Sequence, residues 1–358
     1  MFKTIFDLES LLAWGFILAI VLGILRILIV MGIVLIQKMK PDSPQFFDDT
    51  FEPRVTVLVA AYNESLVICQ TISSILKNTY RNFDILVIDD GSTDGTSDQI
   101  QLMFEGHPKV NVLRQQNQGK AAALNYGIQM AKGEILVCLD ADTQASPTAI
   151  EELVRPFRDP NLAAVAGNVK VGNRINLLTR WQAIEYITSQ NLDRLAFAAL
   201  NTIIVIPGAI GAWRKSAIES VGGYVSDTLA EDMDLTMQTH RLGYRVRYLH
   251  GLIAYTQDPN NFKDFYKQIT RWYRGFWQIM KKHEVLSLKK WSRVDIYLKI
   301  VTIDAIIFNR IFMTLLIFLM FDFELLLVGM FTDYLLLALV SLYSSYLSKN
   351  WRIFLYSP

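Results

Sequence analysis

Ile135-Leu136-Val137-Cys138-Leu139-Asp140-Ala141-Asp142 is the stretch that decides the fold: five apolar residues run straight into two carboxylates. A short apolar run ending in a polar turn reads as a strand buried on both faces. The same shape occurs upstream. Val55 to Ala60 runs into Ala61-Tyr62-Asn63-Glu64, and Phe83 to Ile88 into Asp89-Asp90-Gly91-Ser92. Val110 to Leu113 is a further short strand. Between these runs, Leu66 to Leu76 and Lys120 to Ala131 have helical periodicity. Strands alternating with helices predict an α/β domain with a mostly parallel sheet and a ligand at the carboxyl ends of its strands. The acidic residues fall at those ends.

Beyond Leu162 the pattern loosens. Leu177 to Leu200 reads as one long amphipathic helix and Ile203 to Ile206 as strand-like. Asp232 to Leu242 is a helix with carboxylates in its first turn, where a helix N-terminus favours them. Asn261 to Lys282 is helical, aromatic and basic, a composition suited to the membrane interface.

The 358 residues are enough for such a domain plus extra helices. Hydrophobic residues make up 52% and mean hydropathy is +0.25, with the excess at the two ends. Leu11 to Ile36 carries one charge, Arg26, and exceeds the roughly 20 residues that span a bilayer. It is too long for a cleaved signal peptide. Ile300 to Phe321 and Leu325 to Leu347 read as two more spans, parted by Asp322-Phe323-Glu324. Lys38, Lys40 and Arg54 follow the first span, Lys289, Lys290, Arg293 and Lys299 precede the pair, and Lys349 and Arg352 follow it. By the positive-inside rule these flanks, and the domain between them, are cytoplasmic. A net charge of +1 gives no argument for a nucleic-acid partner. Cys69, Cys138 and four scattered histidines offer neither a zinc spacing nor a disulfide framework.

Each motif has an ordinary and a chemical reading. The turns at Tyr62 and Asp89-Asp90 are either plain polar turns or a nucleotide pocket whose aspartate accepts from a uracil N–H. Asp90, Ser92, Asp94, Gly95 and Asp98 imitate a calcium loop, but Gln101 stands where the bidentate glutamate belongs. In Asp140-Ala141-Asp142, one carboxylate can meet a sugar or ribose while the other holds Mg²⁺ or Mn²⁺. Glu231-Asp232 either caps its helix or supplies a general base. Gln268-Ile269-Thr270-Arg271-Trp272 is either interfacial or a sugar-stacking floor with an arginine for diphosphate. Asp304 and Arg310, inside an expected span, either line a polymer path or snorkel.

Taken in this order, the motifs resemble the family 2 glycosyltransferases, in their membrane-embedded processive branch of cellulose, chitin, hyaluronan and poly-N-acetylglucosamine synthases. The resemblance covers roughly residues 53 to 285. It implies a GT-A fold, a UDP-sugar donor, a divalent cation and inversion at the anomeric carbon. Ala61, Tyr62, Glu64, Asp89 and Asp90 would hold the nucleotide, and Lys120 would lie near the diphosphate. Asp140 would contact the donor and Asp142 the metal. Asp232 would be the base beside Glu231, with Gln268, Arg271 and Trp272 at the acceptor and diphosphate. Gly208 to Trp213 and Gly222-Gly223-Tyr224 resemble the loop at the acceptor sugar. Poly-N-acetylglucosamine and chitin-oligomer synthases are the nearest in pattern, which makes UDP-N-acetylglucosamine the expected donor for a β-linked chain.

The expected organisation is a transmembrane helix in 1–40 (about 11–36), a linker at 41–53, and a cytoplasmic GT-A domain at 54–260. Interfacial helices at 261–299, two transmembrane helices at 300–347 and a cytoplasmic tail at 348–358 complete it. The expected location is the plasma (inner) membrane, multi-pass. Such enzymes often have more helices, so either a truncated C-terminus, a homo-oligomer or an accessory membrane subunit is expected. Two other readings are transfer of one sugar to a lipid carrier, and a non-catalytic nucleotide-sugar-binding membrane protein.

Overall fold

The computed structural model describes residues 8–39, 51–187 and 193–307, with scattered positions between Glu324 and Tyr343. Eight strands form one sheet: β1 (Val55–Ala61), β2 (Phe83–Asp89), β3 (Val110–Arg114), β4 (Ile135–Asp140), β5 (Gln144–Ala145), β6 (Leu162–Val171), β7 (Gly211–Arg214) and β8 (Arg245–Thr256). Their spatial order is β3-β2-β1-β4-β7-β6-β8-β5. β1, β2, β3 and β4 are mutually parallel, as are β6 and β8. β7 runs antiparallel between β4 and β6, and β5 antiparallel to β8. The sheet is therefore mostly parallel, as its near-continuous apolar strands require.

Alternate residues of the strands feed two cores. Val57, Val59, Ile85, Val87, Val137 and Leu139 pack on one face with α2 (Ile68–Leu76) and α5 (Ala149–Val154). Leu58, Leu86, Ile88, Leu136 and Cys138 pack on the other with α4 (Lys120–Met130). Burying each such aliphatic side chain contributes roughly 1.5–3 kcal/mol. The remaining helices are α1 (Leu8–Met39), α3 (Thr96–Phe104), α6 (Leu177–Glu185), α7 (Asp193–Leu200), α8 (Lys215–Val221), α9 (Glu231–Arg241), α10 (Phe262–Lys282) and α11 (Arg293–Ile307). A third cluster joins α9, α10 and α11 through Met233, Met237, Ile279, Met280 and Leu298.

Several expectations change. Of the expected helix at Leu177–Leu200, the described parts are α6, which runs on as a π turn at 186–187, and α7; residues 188–192 lie outside the described set. Ile203–Ile206 is not a strand; it is an extended segment whose Ile206 N–H donates to the Thr236 hydroxyl of α9. The strands after β5 are β6, β7 and β8, hidden in sequence by alanine and glycine in β6 and by arginine and histidine in β8.

The helix α1 has 32 residues, and Val30 and Val34 pack on Ala196 of α7. Arg26, the lone charge between Leu11 and Ile36, pairs with Asp193 at 3.4 Å. The side chains of α1 are described without a break only from Val21 to Ile36, and among the described residues no helix is long and apolar enough to cross a membrane. Most of the expected 41–53 linker, most of the 300–347 hairpin, the side chain of Asp304, Arg310 and the 348–358 tail lie outside the described residues.

Candidate active site

Strand register gathers the acidic turns. Ala61 sits opposite Asp89, and Ala60 opposite Asp140, so the chain leaves β1, β2 and β4 at one edge. Asp89 is also opposite Arg114, which brings the β3–α4 loop to that edge. Val171 lies opposite Thr256 at the ends of β6 and β8, on the same side.

The first two turns are stitched into one platform. The Asn63 and Glu64 N–H groups donate to Ser92 Oγ and Thr96 Oγ1, each at 2.9 Å. The Thr93 N–H donates to Asn63 Oδ1 at 2.9 Å. Asn63 adopts φ of 58°, a left-handed turn that asparagine tolerates. Tyr62 stands beside it with half of its surface exposed.

Asp89 and Asp90 are both buried, and the chain itself occupies them. Asp89 Oδ1 accepts from the Ser92 N–H at 2.9 Å, while Oδ2 lacks a hydrogen bond and faces Arg114 Nε at 3.5 Å. Asp90 accepts from Gln115 Nε2 at 2.7 Å and from the Gln118 and Gly119 N–H groups at 3.0 and 2.8 Å. Asp90 therefore holds the loop that presents Lys120 at the start of α4.

Lys120 is the hub of the next group. Its Nζ donates to Asp140 Oδ1 at 2.5 Å. Burial pulls its pKa down, but Asp140, Glu231 and Asp232 outweigh that and hold it above the ordinary lysine value. Gly208 lies directly on this pair: a Cβ there would come 2.6 Å from Lys120 Nζ and 3.0 Å from Asp140 Oδ1. Asp142, the other carboxylate of the turn, has only weak side-chain partners among the described residues, Thr143 Oγ1 at 3.5 Å and Thr256 Oγ1 at 3.4 Å. Burial and then Asp140 raise its pKa. Glu64 is pushed up to about 7 by burial, then by Asp142, Asp140 and Asp94.

Glu231 and Asp232 open α9 after Ala230, whose side chain cannot cap a helix. Among the described residues, Asp232 Oδ1 accepts only from its neighbour's Met233 N–H, at 2.8 Å. Burial and then Glu231 push its pKa up to about 6, against the pull of Lys120. A half-buried carboxylate poised near neutrality is suited to proton transfer.

Gln268, Arg271 and Trp272 lie on α10, and among the described residues none of the three hydrogen-bonds to these carboxylates. They reach the site through the helix. Gly275, one turn on from Arg271, lies against Ala230, and Gln278 Oε1 accepts from the Leu229 N–H at 2.8 Å. The opposite face of α10 exposes Phe262, Tyr266, Tyr273 and Trp277. A groove of about 630 Å³ along α10 holds none of the carboxylates.

Residues 56–222 match the Glycosyl transferase family 2 model. Over those residues the chain is similar to the family 2 glycosyltransferases. It is 32% identical over 245 residues to the poly-β-1,6-N-acetyl-D-glucosamine synthase of Staphylococcus aureus (strain COL), covering 68% of this chain and 59% of that protein. The synthase of Staphylococcus epidermidis is 32% identical over 241 residues, 67% of this chain and 57% of that one. The chain thus spans less than two thirds of these relatives. In fold, it is similar to the mannosyltransferase PcManGT from Pyrobaculum calidifontis, solved in complex with GDP-Man and Mn²⁺. There the TM-score is 0.60 at 23% identity, covering 75% of this chain and 76% of that one. The sheet is therefore of the GT-A type.

The site has one acidic neighbour that its sequence did not single out. Asp258 follows β8 and is nearly fully buried, gripped by Asn173 at its N–H and C=O, with Tyr186 donating to Oδ1 at 3.3 Å. Its Oδ2 has no partner, and burial, then Asp142 and Glu185, push its pKa up to about 6. Only the Asp-Pro turn after a strand marked it. Among the described residues no three His, Cys, Asp or Glu side chains form a metal cage. The donor set is nonetheless all oxygen, with Asp142 weakly bonded and desolvated. That fits a hard cation bound by one or two carboxylates and substrate phosphates.

Proposed function

We propose that this chain is an inverting, metal-dependent membrane glycosyltransferase that elongates a β-linked polysaccharide processively from a UDP-sugar, with UDP-N-acetylglucosamine as donor. The observation that carries this reading is the convergence of Asp140, Glu231 and Asp232 on Lys120 at the carboxyl edge of the sheet, with α10 seated on the segment before Asp232. The likeness to the staphylococcal synthases supports the donor and the polymer.

The nucleotide would lie on the Tyr62–Glu64 and Asp89–Ser92 platform, with the Tyr62 ring free to stack on a base. The Asp140 carboxylate would exchange its bond to Lys120 for a donor hydroxyl, freeing the ammonium for the diphosphate. Asp142 would hold Mg²⁺ or Mn²⁺, which when bound would supply positive charge for a leaving diphosphate. Asp232 would take the proton of the acceptor hydroxyl as that oxygen attacks the anomeric carbon. Arg271 would add a fixed charge for the diphosphate, with Gln268 beside it, and Trp272 would be the floor for the chain end. The apolar ends would place the protein in the plasma membrane, multi-pass, with 54–260 cytoplasmic, and the product would pass into the bilayer. A homo-oligomer or an accessory membrane subunit would complete the path.

The test is turnover of a UDP-sugar panel by purified protein in lipid with Mg²⁺ or Mn²⁺, reading released UDP and product length. Long polymer from UDP-N-acetylglucosamine is the expected result. A one-sugar product that appears only with an added lipid acceptor would overturn processivity, and no turnover at all would leave only a binding protein.

A further inference from the structure

The face of α10 that carries Gln268 and Arg271 continues through Gly275, Gln278 and Lys282, at spacings of three and four residues that share one side of a helix. Every later member of this row grips the segment around Asp232. A Cβ on the buried Gly275 would lie 2.8 Å from Ala230 Cβ and 3.2 Å from both Ala230 N and the Leu229 carbonyl carbon. Gln278 accepts from the Leu229 N–H at 2.8 Å. Lys282 donates to Asp227 at 2.9 Å and to the buried Asp234 at 3.2 Å. The segment is also held at its far end, where Asn125 of α4 accepts from the Tyr224 N–H at 2.8 Å and donates to the Tyr224 carbonyl at 2.7 Å. The stretch from Tyr224 to Asp234 is therefore clamped between the helix that begins at Lys120 and the helix that carries Arg271.

We infer that Gly275 is a positioning residue for Asp232: its missing side chain lets α10 lie against Ala230 and thereby sets the Asp232 carboxylate relative to Lys120. The inference rests on the reading of Asp232 as the base. A methyl group at 275 must push α10 and the Leu229–Ala230 backbone apart by several tenths of an ångström. Asp232, two residues on, moves with that backbone. The nucleotide platform is built from the turns after β1 and β2, so binding of the nucleotide should be largely spared, with only Arg271 moving along with α10.

The experiment compares the full chain in lipid with Gly275→Ala, Gly275→Ala/Ala230→Gly and Gln278→Ala, measuring UDP release, KM for UDP-N-acetylglucosamine and thermal stability. A misplaced base predicts a kcat about 10- to 100-fold lower in Gly275→Ala, with KM within about twofold. The added Ala230→Gly removes the methyl that the new one meets and should restore most of the lost kcat. Gln278→Ala adds no bulk, and losing its single hydrogen bond should lower kcat by about fivefold in the same direction. Unchanged kcat in Gly275→Ala would overturn the inference, as would a loss that Ala230→Gly fails to restore or one that appears in KM alone. No turnover by the unmutated chain would instead remove the reading of Asp232 as base, and this inference with it.

Discussion

At the scale of single residues, the chemistry turns on carboxylates that are costly to ionise. Burial and then Glu231 lift Asp232 from 3.8 to about 6, and a base must be unprotonated. The expected pH profile of kcat/KM therefore falls as pH drops through about 6 and is level above it, which steady-state rates across pH 4.5–8.5 would check (about four units of range suffice to define both limbs). Asp232→Asn should lower kcat by about 10²–10⁴-fold while leaving donor binding measurable by UDP titration. The same shift has a stability sign. A carboxyl whose pKa is higher folded than unfolded stabilises the protein below its unfolded value, and that contribution is lost as pH rises through about 6. Asp232→Asn should then raise Tm at pH 8 while it removes activity, and a lower Tm would contradict the burial argument. Among the described residues, Asp142 has only two long side-chain hydroxyl contacts to lose. Asp142→Asn should raise the half-activating Mn²⁺ concentration at least about tenfold, with a matching loss of bound Mn²⁺ by electron paramagnetic resonance.

At the scale of elements, the C-terminal helices are tied to the domain by ion pairs as well as by apolar contact. Arg241, in the last turn of α9, donates from both guanidinium nitrogens to Asp295 at 2.6 and 2.8 Å. Asp295 is fully buried in the first turn of α11, where Ser292 also donates to it at 2.6 Å. Asp295→Ala would leave Arg241 facing a gap. Breaking a fully buried pair costs about 3–5 kcal/mol, and the partial exposure of Arg241 reduces this to about 1–3 kcal/mol. The expected outcome is a lower Tm in detergent, with the site carboxylates unchanged in place and UDP binding intact below the transition. The elements of the first half follow from local pattern, because β1, β2 and β4 are mostly apolar runs that end in polar turns. β6 and β8 do not, because β6 is rich in alanine, and β8 exposes Arg245 and Arg247 on one face while burying Val246 and Tyr248 on the other.

At the scale of the whole molecule, the proposed membrane topology makes a direct prediction. Proteolysis of inside-out vesicles should cleave the 54–260 region, while sealed right-side-out spheroplasts should protect it, and alkaline carbonate should not release the chain. Cleavage in intact spheroplasts would reverse the orientation argued from lysine and arginine flanks. The pairing of Arg26 with Asp193 adds a structural reason for α1 to stay with the domain. A charge in an apolar helix is tolerated where a partner meets it.

Local sequence determined the parallel half of the sheet, the edge at which its acidic turns gather and the identity of those turns. Strand burial and turn chemistry are written in neighbouring residues. Tertiary structure alone decided which side chains meet. Lys120 and Asp140 are twenty positions apart and form one ion pair. Asp90, which the sequence places at a nucleotide turn, also holds the loop that carries Lys120. Asp258 became a site neighbour only because β8 returns beside the turn after β4. Gly275 and Ala230 are ordinary small residues until two helices place them in contact. Contacts of this kind depend on strand order and helix crossing, which arise from the packing of the whole chain and leave no periodic mark in any one segment.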